Sequence, residues 1–190
     1  MVSTRKSRIA VCLSILLVLA PLFIQAADVP LNTTARVYFS PRGGATDALV
    51  KAIRSARTEV LVQAYSFTSE PIVKALADAH KRGVRTEIVL DKSNRTAKYS
   101  SAGFAHTMGI PTYIDAEHAI AHSKIMIIDR ETVVTGSFNF SKAAEEKNAE
   151  NLLIITSKEL AKVYLENWQL HRKHSERYRP PPSRTARSPS

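Results

Sequence analysis

Thiol chemistry is nearly absent from this 190-residue chain, whose one cysteine, Cys12, sits in an apolar stretch near the start. With that stretch removed, the remainder has no disulfide, no thiol nucleophile and no thiolate zinc site. A thiol-free protein suits an oxidising compartment, where a stray sulfhydryl is a liability. Acidic residues are also scarce, 17 against 27 lysines and arginines, for a formal charge of +10. An excess of that sign points to an anionic partner, either nucleic acid or an acidic membrane face. There is no internal repeat, no amphipathic membrane helix and no long apolar lid, which weighs against a lipid substrate.

What is present begins with a targeting pattern. Arg5, Lys6 and Arg8 form a basic start, Ile9–Ala20 is apolar, Pro21 breaks the run, and Gln25-Ala26-Ala27 offers small residues for cleavage. Residues 1–27 are therefore expected to be a signal peptide, with a periplasmic or secreted product. A retained anchor is the alternative, but the run is short for a span of ~20 apolar residues. Losing Arg5, Lys6 and Arg8 lowers the charge from +10 to +7, so the mature chain stays basic. Residues 28–175 are the size of one domain. Residues 176–190, rich in Pro, Ser and Arg, are expected to be a disordered tail.

Within the domain, Ala35–Ser40, Glu59–Ser66, Val84–Asp91, Ile110–Asp115 and Asn151–Thr156 read as strands. Thr46–Arg57, Ser69–Arg82, Thr96–Met108 and Ser157–His174 carry helical spacing, and Lys92–Arg95 reads as a polar loop. Strands alternating with helices predict the α/β class: a mixed β-sheet flanked by helices on both faces, an α/β/α sandwich.

The stretch Ala119–Ser141, AIAHSKIMIIDRETVVTGSFNFS, organises the rest. Ile125–Ile128 and Val133–Val134 read as two buried strands, with Asp129, Arg130 and Glu131 as the turn between them. Read as strand residues, His122 and Lys124 project to the same side. An imidazole beside an ammonium makes an anion site. Gly136 permits a tight turn or close approach, and Ser137 and Asn139 add neutral donors. One cation, uncharged donors and one group able to attack or move a proton suit a phosphate.

This stretch resembles the HxKxxxxDxxxxxxGSxN signature of the phospholipase D superfamily, and His122, Lys124, Asp129, Gly136, Ser137 and Asn139 match every position. The length, the single motif copy, the signal-like start and Asn148-Ala149-Glu150-Asn151 resemble one branch, the small EDTA-resistant periplasmic bacterial endonucleases. That resemblance agrees with the sandwich fold. It implies a metal-independent phosphodiesterase with no cofactor, a non-specific endonuclease acting on DNA, with RNA as a second candidate substrate, through a covalent phosphohistidine. His122 is the expected nucleophile. Lys124, Ser137 and Asn139 are expected to hold the phosphate oxygens. The resemblance places an orienting carboxylate at Glu150 and gives Asp129 and Gly136 supporting roles.

The implied reaction uses two motif histidines, and the chain has one motif. His80, His106, His118, His171 and His174 lack its context and read as surface or helix residues. A homodimer sharing one site is therefore expected. Lys92, Arg95, Lys98 and Lys142 are candidates to flank the groove, with contacts mainly to the phosphate backbone. After signal cleavage no stable membrane association is expected. The alternatives are a phospholipase D-type lipid phosphodiesterase and a non-catalytic nucleic-acid-binding protein.

Overall fold

Strand β2 (Glu59–Ala64) is buried along its whole length, so both of its faces need cover. Alternation sends Val60, Val62 and Ala64 into one apolar cluster and Leu61 into another. The larger cluster is completed by helices α1 (Ala45–Ser55), α2 (Glu70–Lys81) and α3 (Ala102–Thr107). Helix α5 (Lys158–His174) covers the second, through Ala161 and Trp168. The Trp168 indole N–H also donates to the Val62 carbonyl at 2.9 Å, which fixes α5 against the sheet. The expected α/β/α sandwich follows from these two layers.

A computed structural model describes residues 33–181. The expected signal peptide, Cys12 and residues 182–190 lie outside the described residues. The other strands are β1 (Thr34–Ser40), β3 (Arg85–Asp91), β4 (Thr112–Asp115), β5 (Lys124–Ile128), β6 (Thr132–Gly136), β7 (Glu150–Thr156) and β8 (Glu176–Arg177). They form one sheet in the order β1-β7-β6-β5-β2-β3-β4-β8. Strands β2, β3 and β4 run parallel, and every other pairing is antiparallel. No helix among the described residues is long and apolar enough to cross a membrane.

The structure departs from the expected elements in three places. The helix read over Thr96–Met108 starts only at Ala102. Before it, Lys92–Arg95 forms a 3-10 turn, and buried Asn94 donates to the Tyr65 carbonyl at 2.6 Å while accepting from the Ser100 hydroxyl at 3.0 Å. Those side-chain bonds replace the helical ones. A short helix α4 (Lys142–Glu146) follows the motif, capped by Ser141. Its Glu145 carboxylate accepts from Gly44 N and Thr46 N, satisfying donors at the start of α1. The tail boundary at residue 176 falls too early. Glu176–Arg177 pairs with β4, and Tyr178 is buried, its N–H donating to the Thr112 carbonyl at 2.8 Å.

The β5–β6 turn carries Asp129 and Arg130 at φ 53° and 56°, the left-handed pair of a tight hairpin. From there the Asp129 carboxylate accepts from the backbone N–H groups of Arg57, Thr58 and Glu59 and from the Thr58 hydroxyl. Its four donors tie the hairpin to the start of β2. Burial pushes this carboxyl up, but the donors outweigh it and hold it below the usual carboxylate range. The resulting stability is present above the unfolded value of about 3.9 and is lost as pH falls through the lower folded value. Asp129→Asn should cost about 2–3 kcal/mol at pH 7 by denaturant titration. Below about pH 3 the difference between variant and wild type should shrink.

Candidate active site

Ligands of open α/β sheets gather where parallel strands end. At that end of β2 stands Tyr65, next to the start of β5. The structure begins β5 at Lys124, so His122 precedes the strand and is exposed. Both side chains lie against Tyr65. Its ring lies 4.5 Å from the His122 ring, tilted by 56°, and the Lys124 Nζ sits 5.3 Å over its centroid. Tyr65 N donates to the Ser123 carbonyl at 3.0 Å, extending the β2–β5 ladder past its regular end.

Lys124 is 6% exposed, and its ammonium donates to the His122 carbonyl at 2.6 Å. Burial pulls its pKa below the ordinary lysine range, against the opposing pull of the Glu150 carboxylate. A desolvated ammonium that bonds a neutral carbonyl keeps most of its charge available for a ligand.

The second half of the motif forms by alternation. Phe138 and Phe140 are buried in the core, so Ser137 and Asn139 face the other way. The Phe140 carbonyl accepts from Thr68 N and Ser69 N, both at 2.9 Å, which ties this loop to the end of β2. Ser137 Oγ accepts from Asn151 N at 3.1 Å. Asn139 Oδ1 is buried with no partner among the described residues, an acceptor that only a donor group would satisfy. Gly136 has φ 141°, and a Cβ there would stand 2.3 Å from the Asn151 carbonyl oxygen.

Glu150 opens β7 beside this loop and accepts from Asn148 Nδ2 at 3.1 Å. Among the described residues no hydrogen bond joins Glu150 to His122. Asp129 lies at the far end of the hairpin, on the β2 start. The four basic candidates are all exposed. Arg95 pairs with Glu176 at 2.8 Å, Lys142 with Glu146 at 3.5 Å, and Lys92 donates to the His118 carbonyl. Lys98 lies 5.3 Å over the ring of Tyr99, itself 75% exposed.

Two features escaped the sequence reading. Asp91, the last residue of β3, accepts from Ala121 N at 2.8 Å and so holds the segment leading to His122. A carboxylate at a strand end was the only signal. Next to it in register, Asp115 ends β4 and gathers three of the histidines read as unrelated surface groups, His118, His171 and His174. Their H-x-x-H and D-x-x-H spacings were legible, but not their meeting.

Comparison with known proteins places the whole domain, not single residues. Residues 49–171 match the family described as cardiolipin synthase, PLD-like domain. The chain is 42% identical over 145 residues to a phospholipase D of Rickettsia felis, covering 76% of this chain and 72% of the relative. Among solved structures it is similar to Nuc, a phospholipase D family member from Salmonella typhimurium, with TM-score 0.74, 43% identity, and coverage of 77% of this chain and 99% of Nuc. NucT from Helicobacter pylori matches with TM-score 0.71 and 26% identity over the same shares of each chain.

Two substitutions probe the geometry. Gly136→Ala should destabilise by about 2–3 kcal/mol, since the methyl meets backbone at a strained φ; urea unfolding measures it. Lys124→Met should stabilise the fold by about 1 kcal/mol at neutral pH by removing a buried charge. The folded lysine titrates below its unfolded value, so that gain should close as pH rises past about 10.4, which thermal melts across pH would follow.

Proposed function

The chain belongs to the phospholipase D superfamily and is a phosphodiesterase, and from that premise we propose that it is a metal-independent endonuclease acting on DNA, with RNA as a second candidate substrate, as an exported homodimer. The observation that carries the reading is the buried Lys124 ammonium, which donates to the His122 carbonyl and has no carboxylate bonded to it. It supplies fixed positive charge where a phosphate diester develops negative charge.

In this reading neutral His122 attacks phosphorus. The P–N bond forms, the P–O bond to the leaving nucleoside breaks, and the departing oxygen takes a proton from His122 of the partner subunit. Water then attacks phosphorus, gives its proton to that same partner imidazole, and releases His122 as the P–N bond breaks. Lys124, Asn139 and Ser137 hold the non-bridging oxygens throughout. Glu150 acts through its field on Lys124.

Three features support nucleic acid as substrate. Without residues 1–27 the formal charge of +10 falls only to +7, so the exported chain stays basic. On the rim after β3, Lys98 over exposed Tyr99 pairs a cation with a stacking face. Nuc matches over nearly its whole length. The relative named phospholipase D is equally similar, so a lipid diester is the second reading. Supporting the dimer, Val37 and Phe39 are 54% and 64% exposed on β1, and Phe39 stands in register with Asn151 at the edge of the site. Ile120, two residues before His122, is 59% exposed. Apolar groups at a site rim are suited to an isologous contact. Export rests on the signal-like pattern of residues 1–27.

Purified protein should nick plasmid DNA in excess EDTA and release no choline from phosphatidylcholine. Cleavage should fall steeply with added salt, and His122→Ala should lower it at least ~10³-fold. Choline release without nicking would transfer the assignment to lipids, and loss of wild-type cleavage in EDTA would end the metal-free mechanism. Light scattering should report a dimer, and excess His122→Ala subunits should poison wild-type activity. Full activity from a monomer would remove the shared site.

A further inference from the structure

On the α5 side of the sheet, at the end of β4, the Asp115 carboxylate is fully buried. Three imidazoles converge on it: His171 Nδ1 at 2.7 Å, His174 Nε2 at 3.3 Å and His118 Nδ1 at 3.4 Å. One donor atom from each of the four residues lies within 4.8 Å of the others. We infer that Asp115, His118, His171 and His174 form a binding site for a divalent transition metal ion, zinc above all, separate from the phosphodiesterase centre.

The donor set decides the class of ion. Three imidazoles and one carboxylate are borderline ligands suited to Zn²⁺, and next to Co²⁺, Ni²⁺ and Cu²⁺. Mg²⁺ and Ca²⁺ call for six or more oxygens, which the cluster does not offer. Four donors around a tetrahedral zinc stand about 3.3 Å apart, given bonds of about 2.0–2.1 Å. Asp115 and His171 are the fixed pair, at 0% and 17% side-chain exposure, and already lie close. His118 and His174, at 46% and 32%, have the freedom to draw in. His171 and His174 sit one turn apart on α5, so both reach the same point. Asp115 and His118 present the same spacing from the end of β4 and the loop beyond it.

Four protein ligands leave no open position, which marks the site as structural. A metal there would clasp the last turn of α5, and β8 immediately after it, to β4. It would also grip the loop at His118, four residues before His122 and three before Ala121, whose N–H is held by Asp91. The ion would then fasten the nucleophile's loop at its far end without touching the phosphate.

The test uses the full chain, stripped with chelator and returned to buffer. Zinc chloride should bind at about one ion per chain by equilibrium dialysis with elemental analysis. It should raise the melting temperature by about 5–10 °C when present at a hundredfold excess over its dissociation constant. Magnesium chloride should do neither. The variant His118→Ala/His174→Ala changes only the two more exposed ligands, so the fold survives, and it should lose both responses. His122→Ala should keep both. Absence of stoichiometric zinc binding in wild type would overturn the site, leaving Asp115 as a carboxylate satisfied by hydrogen bonds alone. So would a double variant that binds and melts like wild type, or loss of binding in His122→Ala. The readouts are binding and melting, so their failure leaves the nuclease reading untouched.

Discussion

An ammonium group buried without a carboxylate bonded to it is the constraint around which this molecule is arranged. Lys124 gives its hydrogen bond to the backbone carbonyl of His122 and lies over the Tyr65 ring. Neither partner neutralises it. The Glu150 carboxylate acts on it only through space and instead bonds Asn148. Such a group costs folding free energy, and the surrounding sheet must hold it in place. In return the site keeps a cation whose field is not spent on a fixed anion.

The sheet supplies that hold from both directions. Phe138 and Phe140 drive the GSFNF loop into the core, and Gly136 lets its backbone close on Asn151. On the other side, two neighbouring strands end in carboxylates in register, Asp91 and Asp115. Asp91 fixes Ala121, just ahead of His122, while Asp115 anchors His118 at the start of the same loop. The segment that carries His122 is thereby fixed at two points by acids from the same sheet end. Asp129 does comparable work at the opposite end of the hairpin, using four donors from the start of β2.

Much of this was legible in the chain. The hairpin, the helices α1, α2 and α5, and the mixed sandwich follow from apolar periodicity, because each element buries one side or both. The missed parts have a common cause. Helix α3 starts late because Asn94 and Ser100 satisfy the preceding backbone from their side chains. Helix α4 exists because Ser141 caps it and Glu145 is engaged by α1. Strand β8 forms because β4 offers it an edge and the core has room for Tyr178. Each depends on a partner distant in the sequence, which local pattern does not carry.

The division is clearest at the site. By itself the sequence determined the chemistry on offer: one imidazole, one ammonium, a serine and an asparagine at the spacings of a phospholipase D motif, in a basic chain with one cysteine. Residue type fixes reactivity, and motif spacing survives in one dimension. Only the tertiary structure decided how those groups meet. It put Tyr65 against both His122 and Lys124, bonded Glu150 to Asn148, and drew His118, His171 and His174 onto Asp115. Those are contacts between residues far apart along the chain or turned by local geometry. They arise from strand order and side-chain burial, which no linear spacing encodes.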